Sequence, residues 1–175
     1  MSAILTDAAL PGVARVEPAA GDDLRQYGVL PWRVGRKGDL RILLVTGRGR
    51  PGWGVPGGLP VEGRAPFMSA ALDAFEEAGI IGDIDPRPLA DYRYPRPGDD
   101  GTARRCRVTV FAMRVRGTLS HWKERGERQR RWFAAAEAAD VMEHAELAGI
   151  VRQLASRPQA PMDAAGRLSL SIGAP

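Results

Sequence analysis

The chain has 175 residues, of which 44% are hydrophobic and 26% charged, and it carries a formal net charge of +4 at pH 7. This length suits one soluble globular domain. A single cysteine, Cys106, excludes an intrachain disulfide, and with His121 and His144 as the only histidines a tetrahedral zinc site of Cys and His ligands cannot form. Any metal must therefore be held mainly by oxygen ligands.

The first 20 residues lack the basic start and the long apolar run of a signal peptide or a membrane span. We therefore expect a cytoplasmic protein that does not enter a membrane. All but two of the 25 Lys and Arg residues are arginines. Arginine binds phosphate in a planar, bidentate geometry, although an arginine-rich composition also arises from genome composition. Both explanations stay open at this point.

The N-terminal third predicts an arm followed by strands. Residues 1–24 are rich in Ala, Pro, Gly and Asp without periodicity, which predicts a flexible N-terminal arm. Residues 26–34 and 39–46 predict two strands joined in a hairpin. A loop at 47–52 and a short extended piece at 53–55 are expected next. They lead into a sharp Pro-Gly-Gly turn at residues 56–58.

An amphipathic helix is predicted over residues 66–78. Phe67, Ala71 and Ala74 recur at three- and four-residue spacing and give one apolar face. Pro66 suits the first turn of a helix, and Gly79 suits the position just past its end.

The C-terminal half predicts further strands and two short helices. Alternating apolar residues make 104–116 the clearest strand, and Trp132 with Phe133 suggests a return to the sheet. The folded domain is expected to span residues 25–156, with a C-terminal tail at 157–175. The remaining predicted elements are strands at 80–85, 88–95 and, in the tail, 168–172, a loop at 95–101, and helices at 134–139 and 145–154.

Three carboxylates share one face of the predicted helix. Asp73, Glu76 and Glu77 stand at spacings of three and four residues. Like charges roughly 5 Å apart repel by about 3 kcal/mol per pair at an effective dielectric near 20. Because a hard cation relieves this repulsion, the pattern predicts a site for Mg²⁺ or Mn²⁺. An acidic helix face without such context is usually solvated surface.

The segment from residue 56 to residue 80 resembles the signature of the Nudix hydrolase superfamily. That signature reads glycine, five residues, glutamate, seven residues, Arg-Glu, an apolar residue, any residue, Glu-Glu, any residue and glycine beside an apolar residue. With Gly58 as the first glycine, Gly79 is the last, and Glu76 and Glu77 match the metal-binding Glu-Glu pair. Asp73 takes the place of the glutamate before that pair.

Three positions depart from the signature. Arg64 stands where glutamate is expected and Leu72 where arginine is expected, so both members of an opposite-charge pair are lost together. We interpret that pair as structural, because its joint loss leaves no unpaired charge. Asp73 shortens one expected metal ligand by a methylene. A weaker resemblance to bacterial diphosphoinositol-polyphosphate-hydrolase-like members rests on PVEGRAP, FEEAGIIG and GERQRRWF.

The resemblance implies an α/β (α+β) fold of the αβα sandwich type, a mixed sheet with the Nudix loop-helix-loop. It also implies divalent-metal-dependent hydrolysis of a phosphoanhydride bond in a nucleoside diphosphate derivative or another polyphosphorylated metabolite. The metal, Mg²⁺ or Mn²⁺, would be held by Gly58, Asp73, Glu76 and Glu77, with Glu76 and Glu77 catalytic. A base is expected from a later loop, where Glu124 and Glu127 are candidates. The alternative is a non-catalytic Nudix-like module that binds a nucleotide or polyphosphate.

Arginines on the clearest strand are candidates for substrate binding. Arg105 and Arg107 share one strand face and are predicted to clamp phosphate, although a solvated strand edge explains them equally well. The chain has no recognised nucleic-acid motif, so we expect a small phosphorylated substrate and no specific nucleic acid. Dimers are common among similar proteins, which makes a homodimer a candidate assembly.

Overall fold

The computed structural model describes residues 13–16, 18, 22–98, 100–157 and 159–170. Within these residues, seven strands form one mixed sheet that packs between helices. The strands are β1 (Leu24–Val34), β2 (Leu40–Gly47), β3 (Arg50–Gly54), β4 (Gly57–Gly58), β5 (Ile80–Pro97), β6 (Ala103–Thr118) and β7 (Arg130–Ala134). The helices are α1 (Pro66–Ala78), α2 (Ala135–Val141) and α3 (Ala145–Ala155).

The main path of the sheet runs β3-β2-β1-β6-β5. Strands β1 and β2 pair antiparallel with Trp32 opposite Ile42, which confirms the predicted hairpin. Strand β1 also pairs parallel with β6 and, at residues 27 and 28, antiparallel with β4. The predicted sharp turn at residues 56–58 is wrong, because Gly57 and Gly58 have no positive φ and form the short strand β4, which is paired with the middle strand of the sheet.

The two faces of the sheet carry separate apolar clusters. One face packs against α1, whose buried Ala70, Ala74 and Ala78 let the helix approach the strands closely. The other face packs against α2 and α3 through residues such as Leu147 and Val151. The predicted αβα arrangement is confirmed. No helix in the described ranges is long and apolar enough to span a membrane.

Helix α1 has the predicted bounds. Pro66 occupies its first turn, and Gly79 ends it in the left-handed conformation with φ 59° and ψ 42°. A Cβ atom on Gly79 would lie 2.7 Å from the ring of Trp122. Glycine is therefore required here both by the backbone conformation and by the close approach of the indole.

The region after α1 differs from the prediction. The strands expected at 80–85 and 88–95 are one strand, β5, and the loop expected from residue 95 begins only after Pro97. Pro86 and Pro88 locally disfavour a strand, but β5 keeps its pairing with β6 and absorbs them through register shifts between Ile84 and Ala90. Long-range pairing has overridden a local signal.

Two other segments also depart from their expected structure. Part of the loop predicted at 47–52 belongs to β3, which pairs with β2 as a second hairpin. In the tail, Leu168 is buried and forms an isolated bridge with Met162. The end of the strand predicted at 168–172 and most of the predicted N-terminal arm lie outside the described residues.

Candidate active site

Glu77 is the buried carboxylate of the site. It lies in the last turn of α1, and its side chain is 11% exposed. The backbone N–H of Gly57 donates a hydrogen bond to its Oε2 atom over 3.2 Å. A Cβ atom on Gly57 would stand 2.6 Å from the carbonyl oxygen of Tyr27, so only glycine lets β4 lie this close to β1.

Burial raises the pKa of Glu77 to about 8. Arg128 opposes the shift from 3.6 Å away, whereas the nearby charges of Asp73 and Glu124 add to it. A carboxyl group that holds its proton near neutral pH marks a place where negative charge is poorly compensated. Such a group is characteristic of functional sites.

Asp73, predicted as a metal ligand, contacts an arginine from the N-terminal segment. The Nη1 atom of Arg15 donates to Oδ2 over 3.2 Å, and its Nη2 atom donates to Oδ1 over 2.7 Å. The Asp73 side chain is only 4% exposed. Burial raises the pKa of Asp73, and the Arg15 guanidinium opposes that rise.

Glu76 and Gly58 complete the set of predicted metal-binding residues. Glu76 is partly exposed, and its carboxylate is 3.1 Å from the ammonium group of Lys123. Gly58 faces Asp73, because a Cβ atom on Gly58 would stand 3.0 Å from Oδ2. The structure therefore brings Asp73 and Glu77 to β4, whereas the carboxylate of Glu76 pairs with Lys123.

The two candidate bases lie in the loop between β6 and β7. Glu124 is buried and bound by both Arg48 and Arg128. Burial alone would raise the pKa of Glu124, but these two guanidinium groups hold it below its usual range. Glu127 is half exposed, with its Oε2 atom 2.9 Å from Nε of Arg48. Its catalytic role stays a prediction.

This loop is fastened to the C-terminal end of α1, which the sequence did not indicate. The indole N–H of Trp122 donates to the carbonyl of Glu77 over 3.0 Å, and Arg130 donates to the carbonyl of Ala78 over 2.7 Å. The backbone N–H of Glu124 donates to the carbonyl of Glu76. The last carbonyls of a helix lack partners within the helix, and their hydrogen bonds to this loop hold Glu124 near the site.

A cavity of about 560 Å³ opens beside Glu77. Three cationic side chains line its walls, those of Arg50, Arg96 and Arg128. Gly57 of β4 lines it as well. Tyr94 and His144 form an aromatic wall, with ring centroids 4.1 Å apart and an interplanar angle of 28°. Sequence reasoning missed this wall, although the alternation of Tyr92 and Tyr94 along β5 was a signal for it.

The predicted phosphate clamp lies elsewhere. Arg105 is 80% exposed and pairs with Asp23, and Arg107 pairs with Asp91 over 2.6 Å. Their strand neighbour Val108 lines the cavity, so Arg107 points to the opposite face of the sheet. The structure does not bring Arg105 and Arg107 to the carboxylates, and their substrate-binding role stays a prediction.

The donor chemistry of the site fits a hard divalent cation. Within the described residues, no three His, Cys, Asp or Glu side chains lie close enough to hold a metal on their own. Glu77 nevertheless offers a carboxylate next to Gly57, and Glu76 precedes it on α1. Mg²⁺ is usually bound by one or two carboxylates, with water and other oxygens completing its shell. Both oxygens of Asp73 are already engaged by Arg15.

Several known proteins are similar to this chain in sequence. Nudix hydrolase 12, mitochondrial, of Arabidopsis thaliana is 29% identical over 105 residues, which cover 58% of this chain and 52% of that protein. Diphosphoinositol polyphosphate phosphohydrolase 3-beta of Bos taurus is 30% identical over 105 residues, which cover 58% of this chain and 60% of that protein. The matched segments therefore span only about half to three fifths of these relatives.

Solved structures share the fold. An Ap4A hydrolase of C. elegans superposes with a TM-score of 0.56 at 18% identity, covering 75% of this chain and 95% of that one. The NUDIX domain of Shewanella oneidensis NrtR, complexed with ADP ribose, gives 0.57 at 15% identity, with coverages of 75% and 88%. The family model of the NUDIX domain matches residues 25–154. Since that match covers well over half of the chain, the protein belongs to the NUDIX domain family.

Proposed function

We propose that this protein hydrolyses a phosphoanhydride bond in a nucleoside diphosphate derivative, using Mg²⁺ or Mn²⁺ held at Glu76 and Glu77. The observation that carries the proposal is the position of Glu77. Its buried carboxylate lines a 560 Å³ cavity together with three arginines. A polyphosphate entering this cavity meets guanidinium groups that attract it and a carboxylate that repels it unless a cation intervenes.

The bound cation would polarise the phosphate and help to generate the attacking water. The chain's own groups bind and orient. Arg50 and Arg96 are available to neutralise phosphate oxygens, since guanidinium binds phosphate in a bidentate manner, whereas Arg128 is paired with Glu124. The N–H of Gly57 holds the Glu77 carboxylate in one orientation. Catalysis of phosphoryl transfer relies mainly on such positioning and charge neutralisation.

Glu127 is assigned as the base that accepts the proton of the attacking water. The low pKa of Glu124, held by Arg48 and Arg128, makes Glu124 a weak proton acceptor. Glu127 shares Arg48 with Glu124 but is half exposed. It lines a second cavity of about 500 Å³ that has Arg128 in common with the first.

The aromatic wall favours a nucleoside as the organic part of the substrate. Burial lowers the pKa of His144, which favours its uncharged ring, and this ring stacks on Tyr94. Nucleobases bind to such aromatic surfaces, with roughly 1–3 kcal/mol for each stacked base. The structural neighbours described as an Ap4A hydrolase and as a complex with ADP ribose are consistent with this choice.

A substrate panel tests the proposal. ADP-ribose, diadenosine tetraphosphate and an inositol pyrophosphate are incubated with the protein and Mg²⁺ or Mn²⁺, and nucleotide or phosphate release is measured. We expect release from the adenine-containing compounds. Turnover of the inositol compound alone would contradict the nucleoside assignment. Binding of nucleotides without any turnover would support the alternative of a non-catalytic module.

The aromatic wall has its own matched pair of variants. Tyr94→Leu removes the ring and should raise KM for the nucleotide by roughly tenfold with little change in kcat, given the energy of base stacking. Tyr94→Phe keeps the ring and removes only the hydroxyl that donates to Gln26 over 2.9 Å. Its KM should stay close to that of the parent. Equal effects of both variants would argue against stacking.

A further inference from the structure

A segment that precedes the NUDIX domain match docks on the loop of the site. Arg15 forms an antiparallel β-bridge with Val61. The N–H of Val16 donates to the carbonyl of Pro60 over 2.8 Å, and the N–H of Glu62 donates to the carbonyl of Ala14 over 2.9 Å. The loop that follows β4 is therefore held by an isolated β-bridge to residues 14–16.

The side chain of Arg15 extends from this bridge into the site. Its Nη1 atom donates to the carbonyl of Leu59 over 2.7 Å, while both Nη atoms donate to the carboxylate of Asp73. One guanidinium thus joins the loop to helix α1. The pair is largely buried, since Asp73 is 4% and Arg15 27% exposed. Bidentate pairs of this kind combine strength with a fixed geometry.

We propose that Arg15 is a positioning residue that fixes the loop after β4 (residues 59–65) to α1 through Asp73, and that Asp73 is its anchor rather than a metal ligand. Position 72, where the Nudix signature has arginine, is Leu72 in this chain. The guanidinium beside Asp73 comes instead from a residue 58 positions away. Ser69 adds a second link between loop and helix, because its hydroxyl accepts a hydrogen bond from the N–H of Val61.

The loop after β4 also affects how the groups around Glu77 are placed. Gly57 donates to Glu77, and Gly58 rests against Asp73. Loosening the link at Arg15 therefore disturbs the oxygen donors around Glu77 without removing one. Groups that orient a metal ligand typically change metal affinity or activity by about 10–100-fold when they are removed.

The pairing is tested first without metal. Free energies of unfolding from urea titrations with EDTA are compared for Arg15→Ala, Asp73→Asn and the double variant, with Arg36→Ala, an exposed turn arginine, as the control. The double variant should lose clearly less than the sum of the two single losses, because each single change breaks the same link. Additive losses would overturn the proposal. This measurement does not depend on hydrolysis, so it stands apart from the proposed function.

The role of Asp73 is tested by Mn²⁺ binding, with Mn²⁺ alone as the probe in calorimetry. The proposal, which rests on the proposed metal at Glu77, predicts that Arg15→Ala and Asp73→Asn both weaken binding by about tenfold or more. If Asp73 is a ligand, Arg15→Ala frees its oxygens and tightens binding, whereas Asp73→Asn weakens it. That opposite sign would overturn the proposal. If Arg15→Ala does not fold, Arg15→Lys serves, since lysine cannot donate in the same bidentate manner.

Discussion

Glu77 combines two properties at the level of a single residue: its carboxylate is buried, and it faces a cavity lined by arginines. Replacing it with glutamine keeps the shape and removes the charge. Because loss of a group that only orients a metal ligand costs about 10–100-fold, Glu77→Gln should lower kcat by at least about 100-fold. The rate of substrate hydrolysis under saturating Mg²⁺ measures this.

Stability should behave differently from activity in the same variant. Above about pH 8, where the Glu77 carboxylate is charged, relief of repulsion from Asp73 and Glu124 should leave the melting temperature of metal-free Glu77→Gln at or above that of the parent. Glu62→Gln, a change on the exposed part of the loop, provides the control for both measurements. Parent-like turnover in Glu77→Gln would show that the acidic face is ordinary surface.

The raised pKa of Glu77 makes a prediction about pH. The folded protein holds this proton up to about pH 8, whereas the unfolded chain releases it near the ordinary glutamate value of 4.5. Between these values the folded state binds more protons, so the contribution of Glu77 to stability is present at low pH and is lost as the pH rises towards 8. Unfolding in EDTA from pH 5 to 9 should show a steeper decline for the parent than for Glu77→Gln. Parallel curves would contradict the assignment.

The sequence identified part of the site at this scale, for a physical reason. Spacing along one helix is local, so Asp73, Glu76 and Glu77 could be placed together from the sequence alone. Their partners could not. Arg15 and Arg128 contact the acidic face across 58 and 51 sequence positions, respectively, and only the fold brings them there. The burial of Glu77 could not be predicted either, because spacing along a helix does not show which other segment packs over a given residue.

At the scale of elements, the end of α1 is where the helix, the loop after β6 and the site meet. Gly79→Ala should destabilise the protein by about 2 kcal/mol or more, because a left-handed backbone alone costs roughly 1–2 kcal/mol and the added Cβ collides with Trp122. Gly149→Ala in α3 provides the contrast, since nothing lies within 4 Å of its added Cβ and alanine favours a helix. Chemical denaturation should show opposite signs for these two variants.

Elements were predictable to the extent that their signals are local. The bounds of α1 follow from a proline, an apolar period and a glycine, all within 14 residues. Strand β5 was divided wrongly, because its continuity depends on pairing with β6 over the prolines. The docking of the loop at residues 119–129 escaped prediction for the same reason, since Trp122 and Glu124 bond to carbonyls of another element, α1.

At the scale of the whole molecule, the sandwich brings distant parts of the chain to one end of the sheet. Strand β4 contributes Gly57 and α1 contributes Glu77. Strand β5 contributes Tyr92 and Tyr94, and the segment before α3 contributes His144. The type of fold could be predicted from the resemblance of one 25-residue segment. The cavity could not, because its walls come from strands and helices whose relative positions no segment encodes.

Metal binding should stabilise this assembly as a whole. A metal that binds only the folded protein stabilises it by mass action, by about 2.7 kcal/mol at 100 times its Kd. For a protein of this size that corresponds to a rise in melting temperature of roughly 5–10 °C. Mg²⁺ or Mn²⁺ should produce this rise in the parent and little of it in Glu77→Gln. Because salt also screens the ion pairs around the carboxylates, NaCl at equal ionic strength is the control. An equal rise in both proteins would place the metal away from Glu77.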